Sequence, residues 1–290
     1  MADTIRRITY RDRDRHERFF AFVAGVFRIG DTFPRWAERG GWDAGYEVFA
    51  IERDGRLLST VGRQHMRLVL EGKELEAYQL GAVASLPDHR RHGFSGRLLT
   101  GLMDESDARG RPVILFANPS VLDFYPRFGF ARLMQKRFAA TTEIEPAARP
   151  APVLDLDKAG DRAYLAELCA RAGAPGTAFS ARDYYSTLLW NLTHKPRSVF
   201  RVDEVDAALV ASVEEERLML HDVIAVRRFD LRPFLPRLIS SRVSRLEFGF
   251  DPEAWWPHPS NGDDMDSHFF VRGLPILPSE PFRFPDLAQT

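Results

Sequence analysis

The stretch Val83–Gly96, VASLPDHRRHGFSG, decides how the chain is read. Its first residues finish an apolar strand, Leu75–Ser85, that stops before Pro87. Its last residues open an amphipathic helix, Phe94–Ala108, with Phe94, Leu98, Leu99, Leu102 and Met103 on one stripe. Between them runs a short loop with Arg90, Arg91, His92 and Gly93. The first N–H groups of a helix lack intrahelical partners and lie at the positive end of its dipole. Gly93 lets backbone approach an anion closely, and two arginines add full charge, so the loop is spelled as a pyrophosphate cradle. The competing reading of Gly93 is a tight turn ahead of a helix. Other phosphate loops fit poorly. Gly96 and Gly101 have P-loop spacing, but Leu102-Met103 stands where Lys and Ser/Thr are required. No G-x-G-x-x-G is present, and Gly93-Phe94-Ser95-Gly96 is not the G-x-S-x-G elbow that would make Ser95 a nucleophile.

Working outward, the chain reads as strand Ile5–Arg11, an amphipathic helix over about His16–Phe27, and an irregular segment Arg28–Gly45. Strand Tyr46–Arg53 turns at Asp54-Gly55 into the long strand Leu57–Leu70, and Glu71–Lys73 turns again into Leu75–Ser85. After the Phe94–Ala108 helix come a short apolar strand Val113–Ala117, a brief helix Val121–Phe128 and a strand Ala131–Thr142. The segment Glu143–Pro152, EIEPAARPAP, has the composition of a linker. Beyond it helices are expected at Asp161–Arg171, Ala181–Trp190 and Leu231–Arg242. Strands are expected near Ser198–Val202, Ala207–Val213, Arg217–Val226, Leu246–Phe250 and His268–Val271, with an extended tail from Leu274. The fold class is therefore α/β with a mostly antiparallel sheet. The division is residues 1–142, a linker 143–152, and a second, smaller α/β domain over 153–290.

A second motif follows at a fitting distance: Asn118-Pro-Ser-Val-Leu-Asp-Phe-Tyr125-Pro-Arg-Phe-Gly129-Phe130. Arg90-Arg91-His92-Gly93-Phe94-Ser95 resembles the Q/R-x-x-G-x-G/A signature of the GCN5-related N-acetyltransferase (GNAT) family, and the second motif is similar to that family's N…Y-x-x-x-G-F element. The resemblance covers about residues 5–142, and its one departure is Ser95, where the family usually has Gly or Ala. It implies acetyl-CoA as acyl donor. Backbone around Val83 and Ser85 would hold the acetyl-pantetheine arm, and Arg90, Arg91, His92, Gly93, Phe94, Ser95 and Gly96 the pyrophosphate, with Asn118 beside them. The Leu57–Leu70 strand and the spelling Pro87-x-His89-Arg90-Arg91 are similar to the enhanced-intracellular-survival type. That type carries a second domain of the same fold, so residues 153–290 would be a degenerate repeat.

The resemblance implies transfer of an acetyl group to a primary amine of a small molecule by direct attack on the thioester. An amine of pKa ~10.4 must lose its proton to attack, and a thiolate of pKa ~8.5 leaves more easily when an acid protonates it. Tyr125 matches the family's tyrosine for that acid; the alternative is an amphipathic residue packing at a helix start. Glu76, early on the strand that reaches the acetyl group, and His65 on its neighbour are candidates for the base, alongside a water chain and a solvated strand face. Trp36, Trp42 and Asp43 fall where the family recognises its acceptor, against the bland reading of Trp as core. A non-catalytic acyl-CoA-binding or assembly module is the rival class.

The remaining sequence narrows these readings. With 40 basic and 41 acidic side chains the formal charge is −1, which lacks the basic field of a nucleic-acid binder. No apolar run approaches the ~18–20 residues that span a bilayer, and no secretory core precedes residue 30, so a cytoplasmic location is expected, as is freedom from membranes. The single cysteine, Cys169, lies in helical apolar spacing with Leu165 and Leu168 and reads as a buried thiol. The eight histidines show no zinc spacing, and Asn261–Asp266 lacks the spacing of a calcium loop and reads as a solvated turn, so no metal is implied. Arg227-Arg228-Phe229-Asp230 after Arg217–Val226 has no glycine, so the second half is expected to hold no cofactor and to shape the acceptor site. A homo-oligomer is compatible with all of this.

Overall fold

Two tight turns set the first sheet. Asp54-Gly55 and Glu71-Gly72 all have positive φ, the conformation that joins right-twisted strands through two residues. They connect β2 (Tyr46–Arg53) to β3 (Arg56–Leu70) and β3 to β4 (Lys73–Ser85), each pair antiparallel. The structure, a computed structural model, describes residues 3–265, 268–279 and 281–290. Strand β1 (Thr4–Thr9) pairs with β2, and helices α1 (Arg13–Phe27) and α2 (Thr32–Glu38) lie between them in sequence. Helix α3 (Phe94–Ala108) buries Phe94, Leu98, Leu99, Leu102 and Met103, the stripe its spacing predicts, and leads to β5 (Val113–Phe116), which runs parallel to β4. Next come β6 (Ala131–Leu133), β7 (Lys136–Ile144), α4 (Ala159–Arg171), β8 (Phe179–Arg182) and α5 (Tyr185–His194). The chain ends through β9 (Ser198–Val202), β10 (Ala207–Glu214), β11 (Arg217–Ala225), β12 (Val243–Phe248), β13 (Ser260–Asp264) and β14 (Phe269–Arg272).

These strands make two mixed, mostly antiparallel sheets flanked by helices, so the molecule is α/β with a second, smaller unit. The first sheet runs β1-β2-β3-β4-β5-β14-β6, with β8 also pairing β3; the second runs β13-β7-β12-β11-β10-β9. The two halves exchange strands. Strand β14 enters the first sheet between β5 and β6, and β7 enters the second between β12 and β13. The expected boundary at residue 142 therefore falls inside β7, whose partners are in the second half. Glu143-Ile144 ends that strand and is not linker; only residues 145–152 connect. One hydrophobic core also joins residues of both halves, among them Leu68, Leu188, Phe269 and Phe284.

Several expected elements differ. Residues in Arg28–Gly45 fold as α2 because Phe33 and Trp36 face inward one helical turn apart. Val121–Phe128 is two 3₁₀ turns, Pro119–Val121 and Tyr125–Phe128, each begun by or next to a proline. Leu231–Arg242 contains only the turn Leu235–Leu238, since Pro233 and Pro236 remove helical N–H donors. Ala181–Trp190 begins in β8 and becomes helical after Asp183, whose φ is +54°. Ala131–Thr142 is two strands, β6 and β7, that belong to different sheets. Residues Ser260–Asp264 form β13, while Asp266 of the acidic segment lies outside the described residues. Cys169 is buried and free. No helix among the described residues is long and apolar enough to cross a membrane.

Candidate functional site

The decisive geometry is a splay. Strand β4 pairs with β5 at only three positions, Tyr78↔Val113, Gln79↔Ile114 and Leu80↔Leu115. Beyond Leu80 it keeps β3 but leaves β5. A bulge drives the divergence. Between the pairs Gly62↔Gly81 and Thr60↔Ala84, β4 carries Ala82 and Val83 opposite the single Val61. Ala82 takes φ +47° there, a strained conformation for a residue with a Cβ. The gap is a cavity of about 790 Å³, with Val83, Ala84 and Ser85 on one side and Asn118 and Tyr125 on the other.

The loop from Arg90 to Gly96 closes one end of that cavity. Arg91 and Gly93 both have positive φ, 63° and 78°, the kind of turn in which peptide N–H groups can form an anion nest. Gly93 caps α3 with no side-chain hydrogen bond to the first helical turn, so those donors remain open. Arg90 and Arg91 line the cavity and are exposed, with no ion pair among the described residues. Phe94, Ser95 and Gly96 complete the lining, whereas His92 does not line it and instead leans on the Phe94 and His89 rings. A pyrophosphate-bearing acyl-CoA suits this arrangement: open helix N–H groups, two unpaired guanidinium groups and a long apolar cleft.

Ser95, the departure from the small-residue pattern, is accommodated by a ring of hydroxyls. Its Oγ lies 2.9 Å from Ser85 Oγ and 3.1 Å from Ser59 Oγ, and Ser85 donates to Ser59 over 3.0 Å. Ser59 in turn donates to the Ala84 carbonyl over 2.8 Å. The ring ties the start of α3 to β3 and β4 and so fixes the cradle against the bulged strand. Asn118 accepts hydrogen bonds from the Ser120 N–H and hydroxyl, which shapes the turn at the cavity wall. Tyr125 is 5% exposed, its ring packed near Phe124, Phe130 and Phe270. Burial pushes its phenol up to about 12, so the group stays protonated at neutral pH.

The other expected residues go elsewhere. Glu76 pairs in register with Arg67, 3.6 Å from its guanidinium, and is exposed. It lies seven positions before Val83, roughly 23 Å along a strand, so the structure does not bring it to Tyr125. Glu76, His65 and Asp43 line a separate outer pocket of about 230 Å³. Trp42 is core: it stacks on His16 at 4.0 Å and donates to the Tyr46 carbonyl. Trp36 is also buried but lines a small pocket of about 50 Å³ together with Gly81 and Ala82 of β4 and Thr187 and Trp190 of α5. In sequence Thr187 and Trp190 are unremarked positions of an apolar helix. The signal that finds them is the docking of α5 on α2, with Trp36 Nε1 donating to the Ser186 carbonyl over 2.9 Å.

Comparison with known proteins agrees with this geometry. Residues 4–133 match the family model described as acetyltransferase (GNAT) domain. No curated protein matches the chain. Among solved structures, a conserved protein of unknown function from Enterococcus faecalis V583 is 13% identical, covering 94% of this chain and 73% of its own, with a TM-score of 0.60. Eis1 from Mycobacterium abscessus is 18% identical, covering 93% and 73%, with a TM-score of 0.57. A GCN5-related N-acetyltransferase from Kribbella flavida is 13% identical, covering 93% and 71%, with a TM-score of 0.55. The bulged and splayed β4, the loop into α3 and these matches together give the chain the fold of the GNAT acetyltransferases.

Proposed function

We propose that the protein is an acyl-CoA-dependent N-acyltransferase that moves an acetyl group from acetyl-CoA to a primary amine of a small molecule. The observation that carries this reading is one cavity shared by an anion nest, the freed edge of a bulged strand and a buried, protonated tyrosine. The nest and Arg90 and Arg91 would hold the pyrophosphate, and the peptide groups at Val83 and Ser85 would align the pantetheine arm. The amine lone pair attacks the thioester carbonyl carbon; a C–N bond forms and the C–S bond breaks. Tyr125 gives its proton to the departing sulfur, and the nitrogen releases one proton to solvent, which restores the phenol. The match over nearly the whole chain with Eis1 supports placing it with the tandem enhanced-intracellular-survival type, with residues 153–290 as a partner unit without a second cradle.

Calorimetric titration of acetyl-CoA tests the reading, with a Gly93→Trp variant as control. Gly93 sits at φ +78°, where a side chain is strained, and an indole there would cover the open helix N–H groups. Wild type should bind in the micromolar range and the variant at least 30-fold more weakly, with thiol release appearing when amines are added. Absence of binding by wild type at millimolar acetyl-CoA would sink the proposal; binding without turnover on any amine would leave an acyl-CoA-binding module.

A further inference from the structure

The second half repeats the plan of the donor site in a changed form. Strands β10 and β11 are antiparallel, as β3 and β4 are, and β11 runs parallel to β12, as β4 does to β5. The parallel pairing stops at Leu220↔Phe248, and β11 bulges there. Val210 faces Asp222 and Ala211 faces Leu220, which leaves His221 as the extra residue. In the first half the loop after the bulged strand carries Arg90-Arg91; here it carries Arg227-Arg228. The gap beyond Leu220, however, is closed by the chain itself. The Gly249 N–H donates to the Leu220 carbonyl and the Asp286 N–H to the Gly249 carbonyl, each over 2.8 Å. Arg283 Nη1 donates to the Phe248 carbonyl over 2.5 Å. A Cβ on Gly249 would sit 2.8 Å from the His221 carbonyl oxygen and 3.1 Å from Asp286 Oδ2, so no room is left there for a pantetheine arm.

What survives is the mouth. A cavity of about 490 Å³ lies where the end of α4, the 3₁₀ turn Asp203–Val205 and the loop after β11 converge. Each carboxylate on its wall has an arginine of its own. Arg201 holds Asp203 at 2.5 Å, Arg237 holds Glu204 at 2.7 Å and Arg171 holds Asp206 at 2.9 Å. Arg227 and Arg228, by contrast, are exposed on the wall and have no ion pair among the described residues. Val226 and Phe229 give the same cavity an apolar side. Two adjacent guanidinium groups without a carboxylate match a phosphate, whose oxygens accept paired N–H donors. We infer that this cavity binds a small phosphate monoester, with its dianionic head on Arg227 and Arg228 and its carbon body against Val226 and Phe229. A second acyl-CoA is not the occupant. Residues 226–234 include no glycine and none with positive φ, so they form no peptide nest for a pyrophosphate, and the closed gap excludes the thioester arm. The site stands independently of the acyltransferase reading.

Calorimetric titration of glycerol 3-phosphate into the full chain tests the site, in a Gly93→Trp background so that the first cradle does not contribute. One saturable site is expected, with inorganic phosphate weaker because it has no carbon body and glycerol silent because it has no charge. Adding Arg227→Gln/Arg228→Gln should weaken glycerol 3-phosphate about tenfold or more. Arg227→Lys/Arg228→Lys should fall between, since the charge stays and the planar fork is lost. Arg217→Gln/Arg242→Gln removes the same charge elsewhere on this half and should change the affinity less than about twofold. Arg227 and Arg228 are exposed and unpaired, so their variants should melt with the parent. No heat with glycerol 3-phosphate at millimolar concentration, equal affinity in the parent and the Arg227/Arg228 glutamine variant, an equal loss in the Arg217/Arg242 pair, or inorganic phosphate binding as tightly as the ester would each overturn the inference. Failure of acetyl-CoA to bind wild type would remove the transfer reaction and leave this result untouched.

Discussion

Tyr125 is where the chemistry turns on a single side chain. Burial disfavours the phenolate and pushes the group up to about 12, so at pH 7 it holds its proton; transfer to a thiolate of pKa ~8.5 is uphill by itself and is drawn forward as solvent reprotonates the phenolate. Replacing Tyr125 with Phe keeps the ring packing against Phe124 and Phe270 and removes only the donor. We expect kcat to fall about 10²-fold with the acetyl-CoA dissociation constant unchanged within twofold, measured by thiol release and calorimetry. The pH profile adds a sign. An acid raised by burial stays protonated further up the scale, so Tyr125 should contribute no falling limb between pH 7 and 10. A limb near 10 that disappears in Tyr125→Phe would show a phenol with no such shift. A variant as active as wild type would remove Tyr125 from the mechanism.

Among the elements, β2 and β3 carry a charge cluster that the alternation of their residues does not announce. Arg63 and Glu47 are 2% and 3% exposed, with Arg63 Nε donating to Glu47 over 2.8 Å and Nη1 to Glu105 over 2.9 Å. The guanidinium lies 4.4 Å from the Tyr78 ring centre and 4.8 Å from that of Phe49. Burial alone would raise Glu47, but hydrogen bonds from His65 and Arg63 and the charges of Arg63 and Arg7 hold it down at about 2. Arg63→Ala leaves that buried carboxylate with only Arg7 and His65 beside it, and we expect a loss of about 3 kcal/mol in urea unfolding. The double variant Glu47→Leu/Arg63→Met should recover most of it. Because Glu47 is depressed below its ordinary 4.5, its contribution is full above about pH 4.5 and disappears as pH falls towards 2. Wild type should therefore lose more stability over that interval than the double variant, and parallel pH dependences would refute the assignment. Elements fixed by local pattern were legible in sequence: the two Gly-containing hairpins, α3 and the strand–loop–helix at Val83–Gly96. Elements fixed by tertiary contact were not. Helix α2 is only seven residues long and is held by the packing of Trp36 on Ser186, 150 residues away. Glu76 reads as poised for catalysis on sequence order, yet the extended rise of a strand carries it far from the splay.

Across the whole molecule the strand exchange is the feature with the largest consequence. Strands β7 and β14 look locally like any apolar strands, and nothing in a single sequence tells which sheet each will join, so residues 1–142 read as a complete domain. In the structure that piece would lose β14, leaving β5 without its antiparallel partner at Phe270 and Val271 and β6 without any partner. It would also expose the β7 edge that pairs Phe138 with Phe248 and Leu246 with Ala140. Exposed apolar edges of this kind pair with other chains, and the shared core around Leu68, Leu188 and Phe269 would be opened as well. We expect residues 1–142 and 153–290, expressed separately, to be insoluble or unfolded. The full chain should unfold in one cooperative transition, with near-UV circular dichroism and tryptophan fluorescence changing together in urea. Two resolved transitions, or a soluble 1–142 fragment that binds acetyl-CoA with the affinity of the full chain, would show that each half carries its own fold. The exchanged strands would then be an addition to finished domains, where the pairing here makes β7 and β14 integral to both sheets.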